Sequence, residues 1–273
     1  MPSWIMISLV NYFLDCPSFF ILLGWRGRLD FYAQLGGRGC TCKNFEDDYE
    51  WSETPSSSWN AYDTCKKLNG RRVLLIGDST MGQLGTTLMN ALHPAGCQIN
   101  ITCVEIDTLV NKEMGHMNRG PHWMDCVKQN EGWADIVIIS AGPHIYGRTN
   151  FNLVVDSVIN GTLALKKENP NMEVVWKTQP PAGCTSEPTT IIEFPDDYQY
   201  NEFYERDVYC LNELPRHGIH VLDMRMLYYR GDAHIHSGHS GIKQEWVSDC
   251  MHMCVPGPLD IIAPLFSELL DKL

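Results

Sequence analysis

Val73-Leu74-Leu75-Ile76-Gly77-Asp78-Ser79 decides how this chain is read. Four apolar residues in a row, with no polar alternation, predict a strand over 72–76 that is buried on both faces, as in a parallel sheet. Gly77 breaks the run, and Asp78 is a strong N-cap for a helix opening beside Ser79. Beyond it, Met81, Leu84, Leu88 and Leu92 recur at steps of three and four, one face of a helix over 80–92. His93-Pro94-Ala95-Gly96 then stops it. A serine is thus delivered to the carboxyl end of a strand, where doubly wound sheets bind their ligands.

Two other readings compete for this segment. Gly77 and Gly82 are spaced like the opening of a phosphate-binding loop, but Gln83 and Leu84 stand where that loop needs Lys and Ser/Thr. Gly-Asp-Ser is also an ordinary capped turn. A second block, Asp249-Cys250-Met251-His252-Met253-Cys254, favours chemistry. A serine hydroxyl becomes nucleophilic when an imidazole takes its proton and a carboxylate orients that imidazole. Ser79, Asp249 and His252 supply the three groups in the order Ser…Asp…His, with Asp249 and His252 close enough in sequence to share one turn. Asp78 reads as a structural cap rather than a catalytic acid.

Around these blocks, apolar runs alternate with amphipathic stretches. Strands are expected over 99–106, 135–140, 173–178 and 219–223, and helices over 153–167, 201–214 and 264–273, with Pro264 at a first-turn position. Such alternation predicts an α/β fold, a three-layer α/β/α doubly wound parallel sheet. The expected division is a hydrophobic N-terminal segment over 1–25, a Cys-rich leader over 26–70 and the catalytic domain over 71–273. The long polar stretch 179–200 reads as a surface loop at the rim. Asn11, Asp15 and Pro17 interrupt the apolar N-terminal segment, and no basic residue precedes it. It reads as a degraded or truncated anchor, as a signal sequence with an odd start, or as a buried part of the fold.

Composition narrows the partners. The 273 residues are 44% hydrophobic and 20% charged, a globular balance, and the net charge of −12 argues against nucleic acid, whose phosphates require clustered Lys and Arg. Eleven cysteines include no Cys-x-x-Cys pair, so a structural zinc site is poorly supported. Without Cys16 in the apolar segment, an even set remains, suited to disulfides in an oxidising compartment. The sequons Asn100-Ile101-Thr102 and Asn160-Gly161-Thr162 fit the same route. Asp232-Ala233-His234-Ile235-His236-Ser237-Gly238-His239 has the look of a metal site, but alternating loop positions rarely converge on one ion, and no metal is expected. Trp123, Tyr146, Trp176 and Trp246 are read first as core aromatics and second as sugar platforms; His116 and His122 are read as rim or core residues.

The chain resembles the trichome birefringence-like proteins, the plant and algal branch of the SGNH/GDSL acyl-esterase superfamily also called PC-esterases. The resemblance rests on 68–79, ending in Gly-Asp-Ser; on Trp133-Ala134-Asp135-Ile136-Val137-Ile138-Ile139-Ser140-Ala141-Gly142; on 227–234, similar to an Arg-x-Asp-Ala-His stretch; and above all on Asp249 to Gly257. It implies an SGNH-hydrolase-like fold and an O-acetyltransferase with Ser79 as nucleophile, His252 as base and Asp249 as its partner. Gly142, Ser140 and His144 are the expected oxyanion and substrate side, and Gly77, Asp78, Cys250 and Cys254 the structural frame. It further implies no bound cofactor, an acyl donor such as acetyl-CoA or another acetyl carrier, a carbohydrate acceptor, and residence in the secretory pathway, in the Golgi, with membrane association through the N-terminus. The sequence departs from the family at Gly82, where an Arg is usual, at Ser140 for Asn, and at Met253 for Trp. The alternatives are an esterase using the same acyl-enzyme and an inert carbohydrate-binding homologue.

Overall fold

A computed structural model describes residues 59–96, 101–110, 120–130, 134–180, 202–229, 234–239, 246–253 and 258–273, with backbone alone for 101–105, 234–239 and 246–250. Strand β1 (Val73–Gly77) is completely buried. It pairs in parallel with β2 (Ile101–Glu105) on one side and with β3 (Ile136–Ile139) on the other. β4 (Glu173–Lys177) and β5 (His220–Leu222) extend the sheet, giving the order β2-β1-β3-β4-β5. The chain reverses its direction of travel across the sheet between β1 and β3, so a crevice opens at their carboxyl ends.

Alternate side chains of β1 feed two cores. Leu74 and Ile76 pack with Trp123 and Val127 of α3 (Trp123–Gln129), with Phe151, Val154 and Val158 of α4 (Arg148–Glu168), and with Cys210 of α5 (Phe203–Glu213). Val73 and Leu75 face the other layer. There they meet Met81, Leu84 and Leu88 of α2 (Ser79–Leu92) and Phe266 and Leu270 of α6 (Ile262–Leu270). Two apolar faces, each covered by helices, make the three-layer arrangement that the uninterrupted strand required.

Several boundaries depart from the sequence reading. Helix α1 (Ala61–Leu68), within the expected leader, packs on the domain: Lys67 Nζ reaches Asp271 Oδ2 at 2.6 Å and the Ser267 carbonyl at 3.2 Å. α6 begins earlier than expected, so Pro264 is its third residue, still in the first turn whose N–H groups need no helical partner. Cys65 is disulfide-bonded, whereas Cys126 and Cys210 are buried free thiols, so the even set is not fully paired. No helix among the described residues is long and apolar enough to cross a membrane; the N-terminal segment over 1–25 lies outside them.

Beyond β5, β6 (His234–His239) and β7 (Trp246–Met253) form a separate antiparallel pair. Where β6 advances one residue, from His234 to Ile235, β7 advances four, from Met253 to Asp249. Cys250, Met251 and His252 therefore bulge from the ladder, a device that re-aims side chains.

Candidate active site

Ser79 is the first residue of α2, and its position follows from a close approach of two strands. A Cβ on Gly77 would stand 2.6 Å from the Ser140 carbonyl oxygen, so glycine alone lets β1 and β3 end side by side. Asp78 then caps the helix: its Oδ1 accepts from the Thr80 N–H at 2.9 Å and from the Thr80 hydroxyl at 2.7 Å. Its carbonyl takes the N–H groups of Met81 and Gly82. The N–H of Ser79 leads the helix at its positive end.

The β7 bulge brings His252 to this serine. His252 Nε2 and Ser79 Oγ are 2.7 Å apart, with the two residues only 9% and 8% exposed. The residues are 173 apart in sequence. The sequence reading placed Asp249 and His252 on one turn; the structure instead places Asp249 at a paired position of β7 and His252 within the bulge that follows it. The side chains of Asp249 and Cys250, and all of Cys254, lie outside the described residues, as do His116 and the side chains of Trp246 and of the Asp232–His239 cluster.

Gln83, one turn along α2 from the serine, holds the bulge in place. Its Nε2 donates to the Met253 carbonyl at 2.8 Å and its Oε1 accepts the Met253 N–H at 3.2 Å. The sequence reading used Gln83 only to dismiss a phosphate loop. Its spacing of four from Ser79 was the available signal, since it puts both side chains on one helix face.

A second missed feature is a buried polar network behind the serine. Lys177, at the end of β4 and 2% exposed, donates from Nζ to Thr80 Oγ1 at 3.1 Å. Burial pulls its ammonium down to about 8, against the opposing pull of Asp78 and Asp207. Gln179 donates from Nε2 to Ser140 Oγ at 2.8 Å, and its own N–H goes to Asp207 Oδ1 at 3.2 Å. It is 3% exposed, so the segment from 179 does not begin as the surface loop expected. Burial drives the Asp207 carboxyl up to about 8, although the Gln179 N–H, the Tyr228 hydroxyl at 3.0 Å and Lys177 favour its charge.

The expected oxyanion side is deep and already engaged. Ser140 is fully buried with its hydroxyl accepting from Gln179, and Gly142 gives its carbonyl to Arg206 Nη1 at 3.2 Å. Arg206 lies over the Phe151 ring and also binds Glu202. His144 is buried, its Nε2 3.6 Å from Asp107 Oδ1. Trp123 and Trp176 are sealed in the core and cannot stack on a sugar; Tyr146 is half-buried.

A second serine–histidine contact, His122 Nε2 to Ser157 Oγ at 3.2 Å, is of a different kind. His122 Nδ1 accepts the Met124 N–H, so the neutral ring carries its proton on Nε2 and donates it to Ser157. That imidazole has no lone pair for the hydroxyl. Burial pushes both free thiols, Cys126 and Cys210, up and away from the reactive thiolate. Among the described residues, no cluster of His, Cys, Asp or Glu could hold a metal ion.

Residues 160–269 match the PC-Esterase family, described as a GDSL/SGNH-like acyl-esterase family found in Pmr5 and Cas1p. Over that stretch the chain is similar to the PC-esterases. The match takes in the segment with Asp249 and His252 and stops short of Ser79, so the two halves of the site come together through the fold. The periplasmic domain of a lipopolysaccharide acetyltransferase from Salmonella ser. Paratyphi A has a similar fold, with a TM-score of 0.51 and 13% identity over 90% of this chain and 100% of that one. Two further structures align at a TM-score of 0.42 and 13% identity. One is a putative platelet activating factor from Streptococcus pneumonia, with 77% of this chain and 91% of that chain covered. The other is a carbohydrate esterase family 2 enzyme with a carbohydrate binding domain from Corynascus thermopiles (Myceliophthora fergusii), with 74% and 66% covered. No curated protein matches the sequence. The fold is α/β and SGNH-like.

Proposed function

We propose that the chain is a serine-dependent O-acyltransferase, an O-acetyltransferase acting on a carbohydrate hydroxyl. The observation that carries this reading is the 2.7 Å contact between Ser79 Oγ and His252 Nε2 at the carboxyl edge of the sheet. In the first step Ser79 Oγ attacks the carbonyl carbon of an acyl donor, and its proton passes to His252 Nε2. The oxyanion forms beside the N–H of Ser79 at the start of α2, where the helix dipole favours negative charge. Collapse expels the donor's leaving group with the proton from His252 and leaves an acyl ester on Ser79. A sugar hydroxyl then attacks that ester, giving its proton to His252, which returns it to Ser79 Oγ. Asp249 orients the imidazole by accepting a hydrogen bond from its Nδ1–H. Gly142 and His144 belong to the turn beside this chemistry, while Ser140 supports it from within through Gln179.

The donor is acetyl-CoA or another acetyl carrier, the acceptor a polysaccharide or oligosaccharide, and the setting the secretory pathway. The fold shared with a lipopolysaccharide acetyltransferase domain supports a sugar acceptor. Incubation with an acetyl donor and a panel of oligosaccharides tests the reading. Acetylated sugar that disappears in a folded Ser79→Ala protein is expected; free acetate alone means water intercepts the acyl-enzyme and the chain is an esterase. Undiminished turnover by Ser79→Ala overturns the mechanism.

A further inference from the structure

We infer that Lys177 is a positioning residue for the nucleophile: by donating to the Thr80 hydroxyl, its ammonium directs that hydroxyl's own proton onto Asp78, the cap that fixes the first turn of α2 and hence Ser79. This rests on the proposed role of Ser79.

The connections are short. Thr80 Oγ1 has one proton and stands 2.7 Å from Asp78 Oδ1 and 3.2 Å from Gln179 Oε1. The carboxylate takes it, as the closer and charged acceptor. The same oxygen then accepts from Lys177 Nζ at 3.1 Å. Lysine and aspartate, both buried, are thus bridged by one hydroxyl. Asp78 Oδ2 is buried without a hydrogen-bond partner among the described residues. Asp78 is therefore held through Oδ1, and the ammonium behind Thr80 strengthens the hydroxyl bond to it. Without the ammonium, the Thr80 hydroxyl is free to turn to Gln179 Oε1, and the turn that carries Ser79 loosens.

Two carboxylates face the ammonium: Asp78 from the end of β1 and Asp207 from α5. Asp207 in turn feels Tyr228 and Asp223. Burial raises the Asp207 carboxyl to about 8, which weakens its pull on the ammonium and leaves the bridge through Thr80 to Asp78 as the direct connection.

The test is the rate at which a fluorophosphonate probe labels Ser79, followed from pH 6 to pH 10 beside thermal unfolding of each variant. Lys177→Met keeps the apolar stem without the charge; Thr80→Val keeps the shape without the relay; Thr80→Ser keeps the relay. We expect Lys177→Met and Thr80→Val to label about tenfold or more slowly at pH 7, since small displacements of a reacting atom are costly. Thr80→Ser stays within about twofold of the wild type, because the relaying hydroxyl is retained. The wild-type rate falls as Lys177 loses its proton near pH 8, and the Lys177→Met profile lacks that fall. Should Lys177→Met fail to fold, the contrast between valine and serine at position 80 still decides. Wild-type rates with a wild-type profile in folded Thr80→Val overturn the inference and leave Ser79 as nucleophile. A wild-type protein that the probe never labels, or labelling that survives Ser79→Ala, overturns both.

Discussion

Gln83 and Met253 meet as one backbone meets another: the side-chain amide of Gln83 both donates to and accepts from the peptide groups of Met253. The helix that begins with Ser79, the proposed nucleophile, therefore grips the strand next to His252, its proposed base. Gln83→Met fills the space but leaves a buried N–H and a buried carbonyl unpaired. That should cost about 1–3 kcal/mol per unsatisfied group. Probe labelling of Ser79 should slow by about tenfold or more through misplacement of His252. Urea unfolding and labelling rates on the same preparation measure both. A wild-type labelling rate would mean that β7 is anchored by other contacts.

His252 stands with its Nε2 2.7 Å from Ser79 Oγ. Replacement by Ala should lower acyl turnover by about 10²–10⁴-fold, the usual worth of a general base. His122→Ala, which removes the other serine-bound imidazole, should leave turnover near wild type. Initial rates with one acyl donor separate the two histidines; equal losses would dissolve the distinction drawn from the Met124 N–H.

The buried acid and base behind the site give stability opposing dependences on pH. The Asp207 carboxyl is raised to about 8 from an ordinary value of 3.8, so the folded chain holds a proton there that the unfolded chain releases. Its contribution is complete below pH 3.8 and is lost as pH rises through about 8. The Lys177 ammonium is depressed to about 8 from 10.5; its contribution is present above 10.5 and lost as pH falls through about 8. Together they make stability least favourable near that point. Asp207→Asn removes the acid limb, so its urea midpoint should fall less than that of the wild type between about pH 5 and pH 8. Parallel profiles for the two proteins would show that Asp207 is not the group responsible.

Much of this was legible because it was local. The β1 run, its glycine break and the face of Met81, Leu84 and Leu88 are set by neighbours in sequence, and the structure bounds β1 and α2 within a residue of expectation. The Asp249–His252 geometry was not legible: a bulge in β7 exists only through its pairing with β6, which sequence spacing does not encode. Lys177 and Gln179 were missed for a related reason. A lysine ending an apolar strand ordinarily reaches water, and this one is buried only because Thr80 and two aspartates from other elements surround it. Trp123 resolved as core because α4 offers it Gly161, where a Cβ would come within 2.2 Å of the indole.

The rigidity of the crevice between β1 and β3 can be measured by adding a methyl group to either of two glycines. At Gly77 the new Cβ would press on the Ser140 carbonyl at 2.6 Å and on the Met81 Cβ at 3.1 Å. The carbonyl belongs to backbone, and the Ser140 N–H is itself bonded to the Ile76 carbonyl at 3.0 Å, so relief requires the strands to part. At Gly142 the new Cβ would meet Gln179 Cγ at 2.7 Å, part of a side chain that can swing aside. Gly77→Ala should therefore cost at least the usual 1–3 kcal/mol or so of overpacking and displace Ser79. Gly142→Ala should cost less, at the expense of the Gln179–Ser140 bond. Comparing melting temperatures decides the order. If Gly142→Ala proved the more damaging, the Gln179 network, rather than the close approach of β1 and β3, would be what sets the serine in place.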